Sequence, residues 1–425
     1  MKTIIHPSML SGALKIPPSK SYMQRACAAA LIRRGESIIH NAGHSKDDEA
    51  SINVIQQLGA KVRRQNNSIF ITSNSISAIS DTINCNESGL SSRMFTSIAA
   101  LENKKLKITG DGSLLKRPFN FFEKILPQLG VTIYTNNGYL PLTIQGPLSP
   151  HNIVIDGSLS SQFLTGLLMS FSAANATDVI IKVNNLVSKP YIDITLEVLE
   201  KFELKTPINN NYESFYFNSE SVSNNKNKIE YTIEADWSSA SFIVVGAAIA
   251  GNVVLKGLNK NSLQADKKLL EVLEIAKINF QFINDDVNIN ASIIHPFQFD
   301  ATECPDLFPA LVVLAAYAKG ISTIKGANRL EHKESNRSDT LQKEFSKLGV
   351  QIIIDNDEMI IYGTGIVNGG IVNSHSDHRI TMACAIAALK AESKIIIQES
   401  ESINKSYPDF FKHLISLGAN VSLTN

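Results

Sequence analysis

The 425-residue chain holds four cysteines, Cys27, Cys85, Cys304 and Cys384, and no two stand close together. That spacing excludes CxxC redox motifs and zinc ligation, and it points to reduced thiols in a cytoplasmic protein. Net charge is also missing, since forty basic residues balance forty acidic ones. No global field recruits nucleic acid or an acidic membrane surface, so any anion site must be local. Long apolar runs are absent as well. The longest, 242–250 and 307–318, are too short to span a bilayer, and Met1-Lys2-Thr3-Ile4-Ile5-His6-Pro7 lacks the apolar core of a signal peptide. There is no GxxxxGK[ST] loop, no GxGxxG after a strand and no HExxH. ATP, dinucleotides and metals are therefore not indicated, and chemistry without a cofactor is expected.

What is present is an ordinary globular composition, 44% apolar and 19% charged, in a chain long enough for two domains. An amphipathic helical pattern recurs at intervals of roughly 70 residues, over 47–62, 117–131, 189–204, 265–278, 336–350 and 407–421. Most copies end in Leu-Gly, with Gly59, Gly130, Gly349 and Gly418 as left-handed caps, and a β-branched strand follows. Second helical runs lie between them, at 88–101, 160–173, 238–250, 307–318 and 380–389. Six such repeats describe an α/β fold with internal symmetry. The polar segment 218–228 reads as a surface excursion near a domain boundary.

Chemistry-bearing residues gather at the starts of the second helices. In Pro17-Pro18-Ser19-Lys20-Ser21, with Arg25 beyond, Ser19 or Ser21 can cap a helix whose positive end sits beside two cations. This is either a capped surface helix or an anion site. Similar clusters are Glu87-Ser88-Gly89 with Arg93, a flexible loop from Gly110 to Arg117-Pro118, and Ser160-Ser161-Gln162-Phe163. Further copies are Ser188-Lys189-Pro190-Tyr191, Lys333-Glu334-Ser335 with Arg337, Asp377-His378-Arg379, and Lys405. Converging cations would bind a multiply charged anion. Asp306 and Glu334 are then candidate proton carriers, with a helix cap (Asp306) and an ion pair to Lys333 or Arg337 (Glu334) as the plainer roles.

Taken in order, these motifs, together with Asp236, Ser238-Ser239-Ala240 and Pro305-Asp306, resemble the EPSP synthase (3-phosphoshikimate 1-carboxyvinyltransferase) branch of the enolpyruvyl transferases over essentially the whole chain. The resemblance implies six βαβαββ repeats, three per domain with pseudo-threefold symmetry. Residues 1–18 and 236–425 would form one domain and 19–235 the other, with the active site in the cleft between them. It implies transfer of the enolpyruvyl group of phosphoenolpyruvate to the 5-hydroxyl of shikimate 3-phosphate by a cytoplasmic monomer without cofactor or metal. Asp306 and Glu334 would be the acid–base pair, with Lys20 bridging both substrates. Shikimate 3-phosphate would contact Lys20, Ser21, Arg25, Ser160, Ser161, Gln162, Ser188, Tyr191, Asp306 and Lys333. Phosphoenolpyruvate would contact Lys20, Gly89, Arg117, Gln162, Arg337, Arg379 and Lys405. His378 would orient its neighbours. Leu90, Trp237, Arg329 and Asn336 depart from the family's usual residues. The sister enolpyruvyl transferase acting on UDP-N-acetylglucosamine, and a non-catalytic phospho-ligand binder, are the competing readings. The sister family's loop Cys falls at Asp111 here, a residue some sister members also carry, so that loop does not decide; the Ser-Ser-Gln-Phe and Ser-Lys-Pro-Tyr segments favour the shikimate acceptor.

Overall fold

The computed structural model describes residues 1–220 and 227–424; of the polar segment 218–228, residues 221–226 lie outside the described residues. Two compact units emerge, Pro18–Ile233 and Met1–Pro17 together with Glu234–Asn425.

Each unit is built from three four-stranded sheets of one recurring order. In the Pro18–Ile233 unit, Ile153–Asp156 runs parallel to Val179–Asn184, which pairs antiparallel with Ser214–Phe217, which closes a hairpin with Ile208–Asn210. The sheet containing Lys105–Thr109 repeats that plan. In the third sheet, Ile229–Thr232 returns to run parallel with Gly35–His40. The other unit borrows in the same way from the start of the chain. Leu10–Lys15 takes the parallel position beside Gly251–Lys256, and Lys2–His6 lies antiparallel between Ile395–Gln398 and Asn420–Thr424. The six sheets are thus six copies of one βαβαββ unit, three in each globule with pseudo-threefold symmetry.

Each unit has inner and outer helices. The inner ones, Lys20–Ile32, Gly89–Ala99 and Ser161–Ala173 in one unit, and Trp237–Ala250, Phe308–Tyr317 and His378–Ala388 in the other, are buried around nearly their whole circumference. Their sequences explain why. Runs such as Ala26-Cys27-Ala28-Ala29-Ala30 and Phe242-Ile243-Val244-Val245 have no polar face, and a helix apolar all round belongs in a core. Small residues let these helices approach closely. A Cβ on Gly166 would lie 2.8 Å from the Met94 carbonyl oxygen, so Gly89–Ala99 and Ser161–Ala173 touch backbone to backbone. The outer helices, among them Lys46–Gln57 and Pro190–Lys201, bury one stripe only.

Three local expectations need correction. The helix read over 117–131 is only Asn120–Ile125 followed by a 3-10 turn Leu126–Leu129, because Pro127 cannot continue the α ladder. Gly130 then closes the element at φ 81°. The helix read over 265–278 begins as a 3-10 turn, Ala265–Lys268, and becomes α only over Leu269–Ile275. The loop before Arg117 is not flexible coil: Gly112–Lys116 forms a 3-10 turn whose Ser113 N–H donates to Glu87 at 3.2 Å.

Candidate active site

The inner helices gather polar groups at and near their N-termini. In the Pro18–Ile233 unit all three begin at serine. Ser88 accepts from the Ser91 N–H and Ser160 from the Gln162 N–H, so each hydroxyl satisfies an otherwise orphaned amide. Ser19 occupies the third cap position but makes no side-chain cap bond, and Ser21 lies inside the helix; neither caps as the sequence suggested.

Lys20, the first residue of its helix, pairs with Asp47 at 2.8 Å. Behind it, Gln24 accepts from both Ser88 and Ser91 at 3.0 Å, tying the starts of two inner helices together. Arg93 donates to Gln162 at 2.9 Å and lies over the Phe163 and Phe119 rings, 5.0 and 5.6 Å from their centroids. Arg117 comes to the same place, since a Cβ on Gly89 would meet its Nη1 at 2.5 Å and the Gln162 Oε1 at 3.7 Å. Gly89, Arg93, Arg117 and Gln162 therefore form one cluster. Ser161 and Ser188 are buried, Ser188 with a left-handed φ of 57°.

Arg25 belongs to the packing beneath. Its Nε donates to Thr195 at 2.9 Å, its Nη1 to the Ser21 carbonyl at 2.9 Å, and its Nη2 to the Tyr191 carbonyl at 3.0 Å and Thr165 at 3.4 Å. Burial lowers its pKa to about 10, against the raising effect of Tyr191 and Tyr22.

The other unit begins two of its three inner helices with acids. Asp236 caps Trp237–Ala250 through the Ser239 N–H, and Asp377 caps His378–Ala388 through the Arg379 N–H. Asp306 sits in the 3-10 turn Pro305–Leu307, ahead of Phe308–Tyr317; the cap position itself is Leu307, so Asp306 is no helix cap. Instead, its Oδ1 accepts from Lys333 at 3.2 Å and Arg337 at 3.0 Å, and its Oδ2 from Arg379 at 3.1 Å. Burial alone would raise this carboxyl, but Arg379, Lys333 and Arg337 outweigh it and hold Asp306 well below the usual carboxylate range.

Arg337 links the cluster. It donates to Asp377 at 3.0 Å, to Glu334 at 2.6 Å and to Asp306. Burial would lower its pKa, yet Asp377, Glu334 and Asp306 together raise it. Glu334 also faces Lys405 at 3.7 Å, and Lys405 is 4% exposed. Burial depresses Lys333 against the opposing pull of Asp306. His378 is buried beside Asp377, its Nδ1 4.0 Å from Oδ1.

Three features here escaped the sequence reading: Asp47, Asp266 and the pairing of Asp377 with Arg337. Ser238 accepts from Arg379 Nη2 at 2.7 Å and donates to Asp266. Asp377 was itself part of a recognised motif, one residue before the inner helix, but nothing local signalled its pairing with Arg337. Of the departures, Trp237 is fully buried and donates to the Asn259 carbonyl at 3.0 Å. Asn336 starts Arg337–Ser346 and accepts from Ser338 at 2.8 Å. Leu90 is buried, and burial lowers the pKa of Arg329. Among the described residues no cluster of His, Cys, Asp and Glu could hold a metal ion, and no helix is long and apolar enough to cross a membrane.

The family model for EPSP synthase (3-phosphoshikimate 1-carboxyvinyltransferase) matches residues 4–414. The 3-phosphoshikimate 1-carboxyvinyltransferase of Clostridium novyi is 36% identical over 424 residues, covering 97% of each chain. That of Clostridium perfringens is 35% identical over 427 residues, covering 98% of each. Among solved structures, EPSP synthase from Acinetobacter baumannii superposes with a TM-score of 0.81 at 24% identity, over 99% of this chain and 100% of the other. The enolpyruvyl transferase NikO from Streptomyces tendae gives 0.78 at 16% identity, over 100% and 98%. The last two establish the shared fold. The chain belongs to the EPSP synthase family.

Proposed function

We propose that this member of the EPSP synthase family transfers the enolpyruvyl group of phosphoenolpyruvate to the 5-hydroxyl of shikimate 3-phosphate, releasing inorganic phosphate. The observation that carries the chemical reading is the cage around Asp306. A carboxylate held ionised by Lys333, Arg337 and Arg379, with a second carboxylate 2.6 Å from the same Arg337, supplies proton carriers among cations that suit anionic substrates.

In this reading Asp306 takes the proton of the attacking hydroxyl, while Glu334, between Arg337 and Lys405, serves the methylene carbon of phosphoenolpyruvate. Protonation there makes C2 electrophilic, and the hydroxyl oxygen adds to it. Loss of a proton from the new methyl group then expels phosphate from the tetrahedral intermediate. The caged Asp306 is a weak base in the free protein. Anionic substrates that draw on Arg379, Arg337 and Lys333 would return basicity to it when it is needed.

Shikimate 3-phosphate is assigned to Lys20, Ser21, Ser160, Ser161, Gln162, Ser188, Tyr191, Asp306 and Lys333. Arg25 is proposed to support that set, because four of its N–H bonds already run to protein groups. Phosphoenolpyruvate is assigned to Lys20, Gly89, Arg117, Gln162, Arg337, Arg379 and Lys405. We take the working form to be a monomer. Four buried free cysteines fit a cytoplasmic setting.

The test is a phosphate-release assay. Release is expected only when phosphoenolpyruvate and shikimate 3-phosphate are both present. Release with UDP-N-acetylglucosamine in place of the shikimate would assign the chain to the sister reaction, and release with neither acceptor would refute both.

A further inference from the structure

Asp266 has no part in the reaction just described, yet it stands one hydroxyl away from its centre. It lies in the turn Ala265–Lys268 and is 1% exposed. Its Oδ2 accepts the Ser238 hydroxyl proton. The Ser238 oxygen accepts from Arg379 Nη2 at 2.7 Å, and the same Nη2 donates to Asp306 Oδ2 at 3.1 Å. The chain Asp266–Ser238–Arg379–Asp306 thus joins four separate elements of one unit. The second oxygen of Asp266, Oδ1, is buried without a hydrogen-bond donor among the described residues.

We infer that Asp266 is a positioning residue for the enolpyruvyl transfer: acting through the Ser238 hydroxyl, its carboxylate keeps Arg379 shared between Ser238 and Asp306, and so keeps Asp306 basic enough to take a proton. The inference rests on Arg379 and Asp306 working as proposed above. A serine hydroxyl has one proton, and when a carboxylate takes it the oxygen's lone pairs are left to accept from Arg379. A proton on Asp266 weakens that arrangement and removes a negative charge beside Arg379. The guanidinium then pulls harder on Asp306, whose basicity falls.

The charged groups facing Asp266 are Asp306, Arg379 and Asp236, with the Cys304 thiol also beside it and Lys267 and Lys268 on its own turn. Burial, reinforced by the negative charge of Asp306, pushes its carboxyl up to about 7, with Arg379 and the Ser238 bond opposing. Asp266 therefore changes state within the neutral range, where the ionised form is the one that positions Arg379.

The test is the pH profile of Asp266→Asn, which keeps an acceptor oxygen and removes the charge. At pH about 8, kcat is expected to fall about tenfold, the factor that corresponds to one unit of basicity at Asp306. KM for phosphoenolpyruvate should change much less, and the acidic limb centred near pH 7 should vanish from the kcat profile. Ser238→Ala should lose as much, with the double variant no worse than either single one. If the Asn variant does not fold, Ser238→Ala carries the same expectation, because it cuts the link and leaves the buried carboxyl in place. Wild-type kcat and an intact limb in these variants, or losses that multiply in the double variant, would overturn the inference. An Arg379→Ala control separates two failures. If it is crippled while Asp266→Asn behaves as wild type, only the inference falls. If it retains wild-type kinetics, the reading of the site falls with it.

Discussion

Two fully buried arginines, one in each unit, are held in opposite ways. Arg25 is surrounded by neutral acceptors, the hydroxyls of Thr195 and Thr165 and the carbonyls of Ser21 and Tyr191, and its pKa falls to about 10. Arg337 is surrounded by Asp306, Glu334 and Asp377, and its pKa rises. The same division governs the helix starts. Serines open the inner helices of the Pro18–Ile233 unit, whereas Asp236 and Asp377 cap two of the inner helices in the other, and Asp306 lies in the 3-10 turn that leads into the third. A serine cap satisfies an amide without adding charge, so the positive helix end remains available to an anion. An aspartate cap adds charge, which must be matched by cations, and matched charges are what proton transfer uses. One fold, repeated six times, thus opens its inner helices on uncharged hydroxyls in one unit and beside matched acids and cations in the other.

The largest expected effect tests the acid–base half. Asp306→Asn and Glu334→Gln should each reduce turnover by about 10²–10⁴, the usual worth of a positioned proton carrier, as read in the phosphate-release assay. Unchanged turnover in either would mean the carboxylates are only structural partners of Arg337. The arginines come next. Arg337→Ala removes a buried cation shared by three carboxylates, of which Asp306 keeps Lys333 and Arg379 and Glu334 keeps Lys405, and should cost about 3–5 kcal/mol of stability in denaturant titrations. Arg25→Ala leaves only neutral groups unpaired and should cost about 1–3 kcal/mol. Equal losses would erase the distinction between the two sites. The smallest effect belongs to the binding half: Gly89→Ala places a methyl 2.5 Å from Arg117 Nη1, so the guanidinium must shift. KM for phosphoenolpyruvate should rise about tenfold, an effect of about 1.4 kcal/mol, with kcat less affected. An unaltered KM would remove Arg117 from the donor's site.

Much of this was readable in the chain because helix starts are local. Ser88-Gly89, Ser160-Ser161 and Asp377-His378-Arg379 announce inner helices through an N-cap followed by an apolar run, and those helices begin within two residues of where the pattern places them. Glycines at 59, 130, 349 and 418 end the outer helices with positive φ, as their position after leucine implied. What stayed hidden depends on tertiary approach. Nothing in Lys46-Asp47-Asp48 says that Asp47 will meet Lys20 from 27 residues away, and Asp266 looks like the first turn of an ordinary amphipathic helix. Proline set the other limit: Pro127 interrupts an apolar period that on its own reads as one continuous helix.

The most direct test of the division between binding and proton transfer is a calorimetric titration of shikimate 3-phosphate into the Asp306→Asn/Glu334→Gln double variant. Neutralising the two carboxylates leaves Lys333, Arg337, Arg379 and Lys405 less compensated, which favours an anionic ligand. The account predicts a Kd within about tenfold of wild type, a change of no more than about 1.4 kcal/mol, beside a turnover reduced by orders of magnitude. Affinity lost in proportion to turnover would contradict it.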